Sequence, residues 1–147
     1  MADLDLVVRP YTSADYESVK AMLDHEYRFD EATDSQERID TQIQRDPNSI
    51  FVTEQSGRIT GTASIMEDGR MAYIFKWLGT TEVGIRSALK RAEDELIERG
   101  YSSWDVFVSA HYPIIGEAFD SLGYSGIQDL IRMRKHHEPN LPNQARK

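Results

Sequence analysis

The chain has 147 residues, of which 39% are hydrophobic, 29% charged and 10% aromatic. That is single-domain size and ordinary globular composition, and it excludes a disordered profile. The formal net charge of -8 argues against non-specific nucleic-acid binding, because no broad positive field exists to displace counterions from phosphates. Cysteine is absent, which removes disulfides, thiolate nucleophiles and cysteine metal sites. No apolar run approaches the ~18 residues needed to cross a bilayer, and no leader pattern opens the chain. A cytoplasmic protein with no membrane partner is expected.

In chain order, residues 4–10 form a β-branched run closed by Pro10, a first strand. Thr12 and Asp15 have capping-box spacing, and Tyr16, Val19, Met22, Leu23 and Tyr27 follow at helical spacing. Residues 29–37 are acidic and turn-like. Ile39 and Ile43 then mark a weaker helix ending by Asp46, ahead of Pro47. From Ser49 the period changes to that of strands, and three β-rich stretches separated by glycine-bearing turns predict an antiparallel meander. Ile85, Ala88, Leu89, Ala92, Leu96 and Ile97 make one helical stripe that stops at Gly100. Residues 102–110 predict a strand, Pro113 to Leu122 a short helix, and 127–135 a last strand. One domain over residues 1–136 and a polar tail over 137–147 result.

This order implies an α/β (α+β) fold: a mixed, mostly antiparallel sheet with helices on both faces. The strand over 71–78 and the strand over 102–110 should be parallel neighbours joined by the long helix. The loop opening that helix, Gly79 to Ser87, lies at the carboxyl end of the first of them, where open sheets of this kind bind ligands. It reads equally as an anion cradle made of helix N-terminal amides, or as a plain helix start capped by Thr80 or Thr81.

Four stretches, VVRPYTSADYESVKAML, the meander, GIRSALKRAEDELIERGYSSWDVFVSA and AHYPIIGEAFDSLGYSG, resemble in order and spacing the GNAT superfamily of CoA-dependent N-acetyltransferases. The resemblance implies a GNAT-like fold, acetyl-CoA as cosubstrate, and a small-molecule or peptide amine as acceptor. It leaves the assembly open, with a homodimer among the options. In the family, a loop with arginine or glutamine first, glycine fourth and glycine or alanine sixth wraps the pyrophosphate. Here those six positions are Thr81, Glu82, Val83, Gly84, Ile85 and Arg86, so only Gly84 keeps the pattern. Arg86 either replaces the missing donor or fills the site. Gly84 leaves room for backbone approach, and Gly84→Trp is expected to block the cofactor while sparing the fold. The resemblance assigns cofactor contact to Trp77, Leu78, Thr81, Val83, Gly84, Ile85, Arg86, Ser87 and Phe119.

The same family often places an acid tyrosine four residues before the glycine of its closing triplet. That position here is Phe119, which cannot donate a proton. The strand over 71–78 carries no acidic residue, and Lys76 is its only charged side chain. Tyr112 and His111 are the substitute catalytic candidates, able to donate a proton and to titrate near neutral pH; their plain reading is an edge tyrosine and a surface histidine. Asp30, Glu31 and Asp34 either attract a cationic amine or form a solvated loop. Tyr73, Phe75 and Trp77 alternate along one strand face, as tunnel lining or as core. No metal site is expected, His136 and His137 standing without further ligands.

Overall fold

A computed structural model describes residues 5–108, 119–126 and 130–137. Strand β1 (Leu6–Pro10) leads through a 3-10 turn (Ser13–Asp15) into α1 (Tyr16–His25), followed by α2 (Glu31–Asp34) and α3 (Gln36–Arg45). The meander is β2 (Ile50–Gln55), β3 (Arg58–Glu67) and β4 (Ala72–Gly79); α4 (Glu82–Glu98) and β5 (Asp105–Val106) follow. The expected capping box forms, the Thr12 amide donating to Asp15 Oδ2 at 2.9 Å. Ser56 and Gly57 take positive φ (50° and 80°), the two-residue hairpin geometry that matches strand twist.

The five strands run in sequence order across one sheet, antiparallel except for the last pair, where β5 lies parallel to β4. Each face carries its own core. On one, Ala88, Leu89, Ala92 and Leu96 of α4 pack on Phe51, Ala63, Ile65, Ile74 and Trp77. On the other, Tyr16, Val19, Met22 and Leu23 of α1 and Ile39 of α3 pack on Ile50, Val52 and Leu78. Burial of these side chains, at roughly 25 cal/mol per Å2 of apolar surface, is what holds the layers together.

Several expectations change. Residues 29–37 are more structured than a turn-like loop, because Asp30 caps α2 through the Ala32 amide and Ser35 caps α3 through the Arg38 amide. Ile97 is exposed while Glu93 and Glu95 are buried, so the apolar stripe of α4 ends at Leu96. Residues 130–137 are in neither helix nor strand, against the expected last strand. Of the last helix, 119–121 are helical and Gly123 closes the turn at φ 89°; Pro113 to Ala118 lie outside the described residues.

One further correction bears on the site. Between the pairs Ser64↔Phe75 and Thr62↔Leu78, Ala63 faces two residues, Lys76 and Trp77. This is a β-bulge, with Lys76 at φ 48°. The extra residue reverses the alternation of β4, so Trp77 joins Ala72 and Ile74 in the α4-side core. Tyr73 and Phe75 face the opposite way, and the three aromatics do not share a face.

Candidate functional site

At the start of α4 the glycine is explained by packing against the sheet. A β-carbon on Gly84 would stand 2.2 Å from the Thr60 carbonyl oxygen, and one on Gly61 would stand 2.0 Å from the Gly84 carbonyl oxygen. Thr60 is itself the extra residue of a second bulge, since Thr53 pairs with Gly61 while Glu54 pairs with Ile59. The buried Thr53 hydroxyl donates to the Gly84 carbonyl at 2.7 Å. The first turn of α4 is thereby seated on β2 and β3 at backbone contact, and room at Gly84 is used up on the sheet side.

Thr81 is the N-cap. Its hydroxyl accepts from the Gly84 amide at 2.9 Å and donates to Gln55 Oε1 at 2.8 Å. Both capacities of that hydroxyl are therefore committed, and so is the Gly84 amide. The Ile85 amide closes the helix on the Thr81 carbonyl at 3.1 Å. What the loop retains for an anion is the pair of leading amides, Glu82 and Val83, at the positive end of the helix dipole.

Side-chain cations make up the difference. An open cleft of about 480 Å3 beside the loop is lined by Arg86, Ser87, Lys90, Arg91 and Asp94 of α4, with Val8 and Leu122. The Arg86 guanidinium reaches Glu82 Oε1 at 3.2 Å and Ser121 Oγ at 2.8 Å. Its Nε is buried with no partner among the described residues. Lys90 pairs with Asp94 at 2.8 Å and Arg91 with Glu95 at 3.1 Å, each one turn along the helix. The exposed Lys90–Asp94 pair contributes about 0.5 kcal/mol, so a phosphate could replace Asp94 at little cost, whereas Arg91 is tied to the buried Glu95 and lies over the Phe51 ring.

The second part of the site is the edge of β4. Among the described residues, its parallel pairing with β5 is Tyr73↔Asp105 and Ile74↔Val106, short of the bulge. Beyond that point the Trp77 carbonyl accepts Arg28 Nη1 at 2.8 Å, and the Arg28 guanidinium carbon lies 5.2 Å from the Trp77 ring centre. Lys76 Nζ donates to the Arg28 carbonyl at 3.0 Å and to Asp34 Oδ2 at 2.9 Å. Arg28 arrives there because the chain leaves α1 through Tyr27 at φ 55°, two residues past His25, and the Arg28 amide turns back to the Leu23 carbonyl at 2.8 Å. Asp34 is buried, and the Asp30 amide also donates to its Oδ2 at 2.9 Å.

Asp30 pairs with Arg134, whose guanidinium holds the Asp30 carboxyl below its usual range, with the Ala32 amide helping. Of the three acids expected to attract an amine, two are thus neutralised by cations of the same chain. Asp34 is buried, whereas Asp30 remains partly exposed at the start of α2. Trp77, Leu78 and Phe119 have buried side chains, so Trp77 and Leu78 can offer a ligand only backbone. Phe119 meets the Trp77 and Tyr124 rings edge-on at 4.7 and 5.1 Å. Val83 is exposed, and Ile85 packs against the α4-side core. His111 and Tyr112 lie outside the described residues.

Sequence reading missed Arg28, the Lys76–Asp34 pair, and Thr60 with Gly61. The glycines at 61 and 79 carried a signal, since glycine inside a strand marks close backbone approach. Arg28 carried none.

No protein-family profile and no curated protein sequence matches the chain. Solved structures do match. Ard1 from Thermoplasma volcanium superposes with TM-score 0.70 at 16% identity, over 82% of this chain and 83% of that one. An aminoglycoside acetyltransferase from an uncultured soil metagenomic sample, in complex with sisomicin, gives 0.70 at 13% identity over 94% and 100%. An acetyltransferase from Trypanosoma brucei gives 0.65 at 16% identity over 89% and 100%. At these identities the likeness is one of fold, and the chain has the GNAT acetyltransferase fold.

Proposed function

We propose that the chain binds acetyl-CoA across the start of α4 and the edge of β4, and transfers the acetyl group to an amine of a small molecule or peptide. The observation that carries this reading is the bulge in β4. Among the described residues, the bulge at Lys76 and Trp77 follows the last β4–β5 pair, beside a capped helix N-terminus and a cation-lined cleft. The residues present fit the cosubstrate in an altered way. The Glu82 and Val83 amides with Arg86 and Lys90 would hold its phosphates, in place of an amide-only cradle. Its extended arm would follow the backbone of β4.

When bound, the cosubstrate supplies an activated acetyl thioester. The chain's part is to align it and to donate a backbone N–H toward the developing oxyanion, which is the largest single term in many acyl transfers. His111 and Tyr112 are the candidates for proton transfer, with water as an alternative base. Two of the structural neighbours are acetyltransferases by name, which supports the reaction class.

A second reading, a CoA-binding module without turnover, is favoured by two observations. Phe119 is buried between aromatic rings, and Lys76, the only charged side chain of β4, is committed to Asp34. Calorimetric titration with CoA, followed by acetyl transfer across a panel of amines, separates the two. Saturable heat with turnover supports transfer, heat without turnover supports the module, and no heat at millimolar CoA contradicts both.

A further inference from the structure

We propose, resting on the acetyl-CoA reading above, that Gln55 at the end of β2 is a further binding residue of the site, its side-chain Nε2 donating to the diphosphate of the cosubstrate beside the Glu82 and Val83 amides. The placement of one proton decides which way the Gln55 amide faces. The Gly84 amide donates to Thr81 Oγ1 at 2.9 Å, so the hydroxyl oxygen is the acceptor of that bond and its own proton needs a partner. Gln55 Oε1 accepts that proton at 2.8 Å, and accepts from the Thr60 hydroxyl at 2.7 Å. The two ends of a side-chain amide are told apart by their partners. Reversing this one would strip two hydroxyls of their acceptor, so the oxygen faces the threonines and the nitrogen faces away from them.

Nε2 keeps two N–H donors, has no partner among the described residues and is not sealed from solvent. It stands close to the anion site. The amide group is narrow, so Nε2 lies within roughly 5 Å of the hydroxyl of Thr81, the N-cap of α4. Glu82 and Val83 follow directly, and their amides are the unspent pair at the positive end of the helix dipole. A diphosphate has more oxygens than two amides engage. Arg86 and Lys90 bring charge from α4, while Gln55 brings a neutral donor from the β2–β3 hairpin, its backbone paired with Leu6 of β1 and Arg58 of β3. A donor on a paired strand is held in direction, and its bond gains strength because the acceptor is charged.

Gln55→Glu keeps an oxygen for both threonines and removes only the donor, so the cap of α4 survives the change. Calorimetric titrations of the wild type and this variant with CoA, and with ADP, which carries a diphosphate without the arm, provide the test at low and high NaCl. The variant should melt within a degree or two of the wild type and bind both ligands about ten-fold more weakly, as for a lost bond to a charged group. The loss should persist at about 0.5 M NaCl, where charges that do not touch are screened. A loss that vanishes at high salt, or equal binding by the two proteins, overturns the contact and leaves the acetyl-CoA reading standing. A loss for CoA alone places Gln55 against the arm and overturns the diphosphate assignment. Failure of the wild type to bind CoA overturns both readings. If the variant does not fold, the side-chain amide resonances of Gln55 in the wild type decide: saturable shifts with CoA support the contact, and no movement while Glu82 and Val83 shift overturns it.

Discussion

Gly84 and Thr60 are in backbone contact: a β-carbon added at Gly84 would lie 2.2 Å from the Thr60 carbonyl oxygen and 2.5 Å from the Thr60 carbonyl carbon. Both partners are main chain, one seated in a helix and the other in a bulged strand, so neither can rotate aside. Gly84→Ala is expected to destabilise the fold by about 3 kcal/mol or more, the upper range of overpacking, as read from urea denaturation midpoints. Gly84→Trp should not give a folded protein, which corrects the expectation that it would spare the fold and report only on the cofactor. A Gly84→Ala protein with unchanged midpoint would show that α4 is not seated as described.

Because Gly84 serves the sheet, ligand contact is better tested at Arg86. The Arg86 guanidinium borders the 480 Å3 cleft with Lys90 and Arg91, and its own contacts are the exposed Glu82 and Ser121. Arg86→Gln should leave the melting temperature within a degree or two and weaken CoA binding about five-fold, with a shallower salt dependence. Tighter binding by Arg86→Gln would mean that the arginine obstructs the site.

The buried carboxylate of Asp34 and the Lys76 ammonium are 2.9 Å apart, and they fix the residue that carries the β4 bulge. Asp34→Asn leaves Lys76 without its counter-charge and is expected to cost about 2 kcal/mol, below the range for a fully buried pair because Lys76 is partly solvated. A double mutant with Lys76→Met should recover much of that loss. Additive losses in the double-mutant cycle would show that the pair is not coupled.

Stability should depend on pH in two opposite ways. Burial opposes ionisation of Asp15, but the Arg9 guanidinium and the Thr12 amide outweigh it and hold the carboxyl below its usual range. The Arg99 guanidinium lowers Asp46 more directly, at 2.7 Å. A carboxyl with a lowered folded value contributes stability that is complete above about pH 4 and is lost as pH falls through the folded value. Glu93 has the opposite sign. Burial in α4 raises its carboxyl despite the nearby Tyr124 hydroxyl, so ionising it costs stability as pH rises from about 4.3 through the raised value. Glu93→Gln should therefore stabilise the protein at pH 7 and have no such effect at pH 4, as read from urea midpoints at the two pH values. Equal effects at both pH values would rule out titration of Glu93 as the cause.

The element order was legible because the apolar period changes where the structure changes. The 3.6-residue spacing of Ala88, Leu89, Ala92 and Leu96, the β-branched meander and the glycines at 57 and 100 all act locally. The parallel placement of β4 and β5 followed from the connection between them. What stayed hidden depends on partners distant in sequence. Lys76 carries no residue-type signal for φ 48°, so the bulge and the reversal of Trp77 could not be read. Asp34 looks like its exposed neighbours until Lys76, 42 residues on, is placed against it. Thr81 was legible as a cap, yet its second bond, to Gln55, comes from the β2–β3 hairpin and removes the hydroxyl from any phosphate.

Binding of CoA along the β4 edge and over the first turn of α4 can be followed through backbone amide resonances during a CoA titration. Saturable shifts are expected to concentrate in residues 75–79 and 82–87, with Glu82 and Val83 among the largest. Shifts confined to the cleft on the opposite side, around Ser18, Ala21 and Ile59, or no shifts at millimolar CoA, would contradict it.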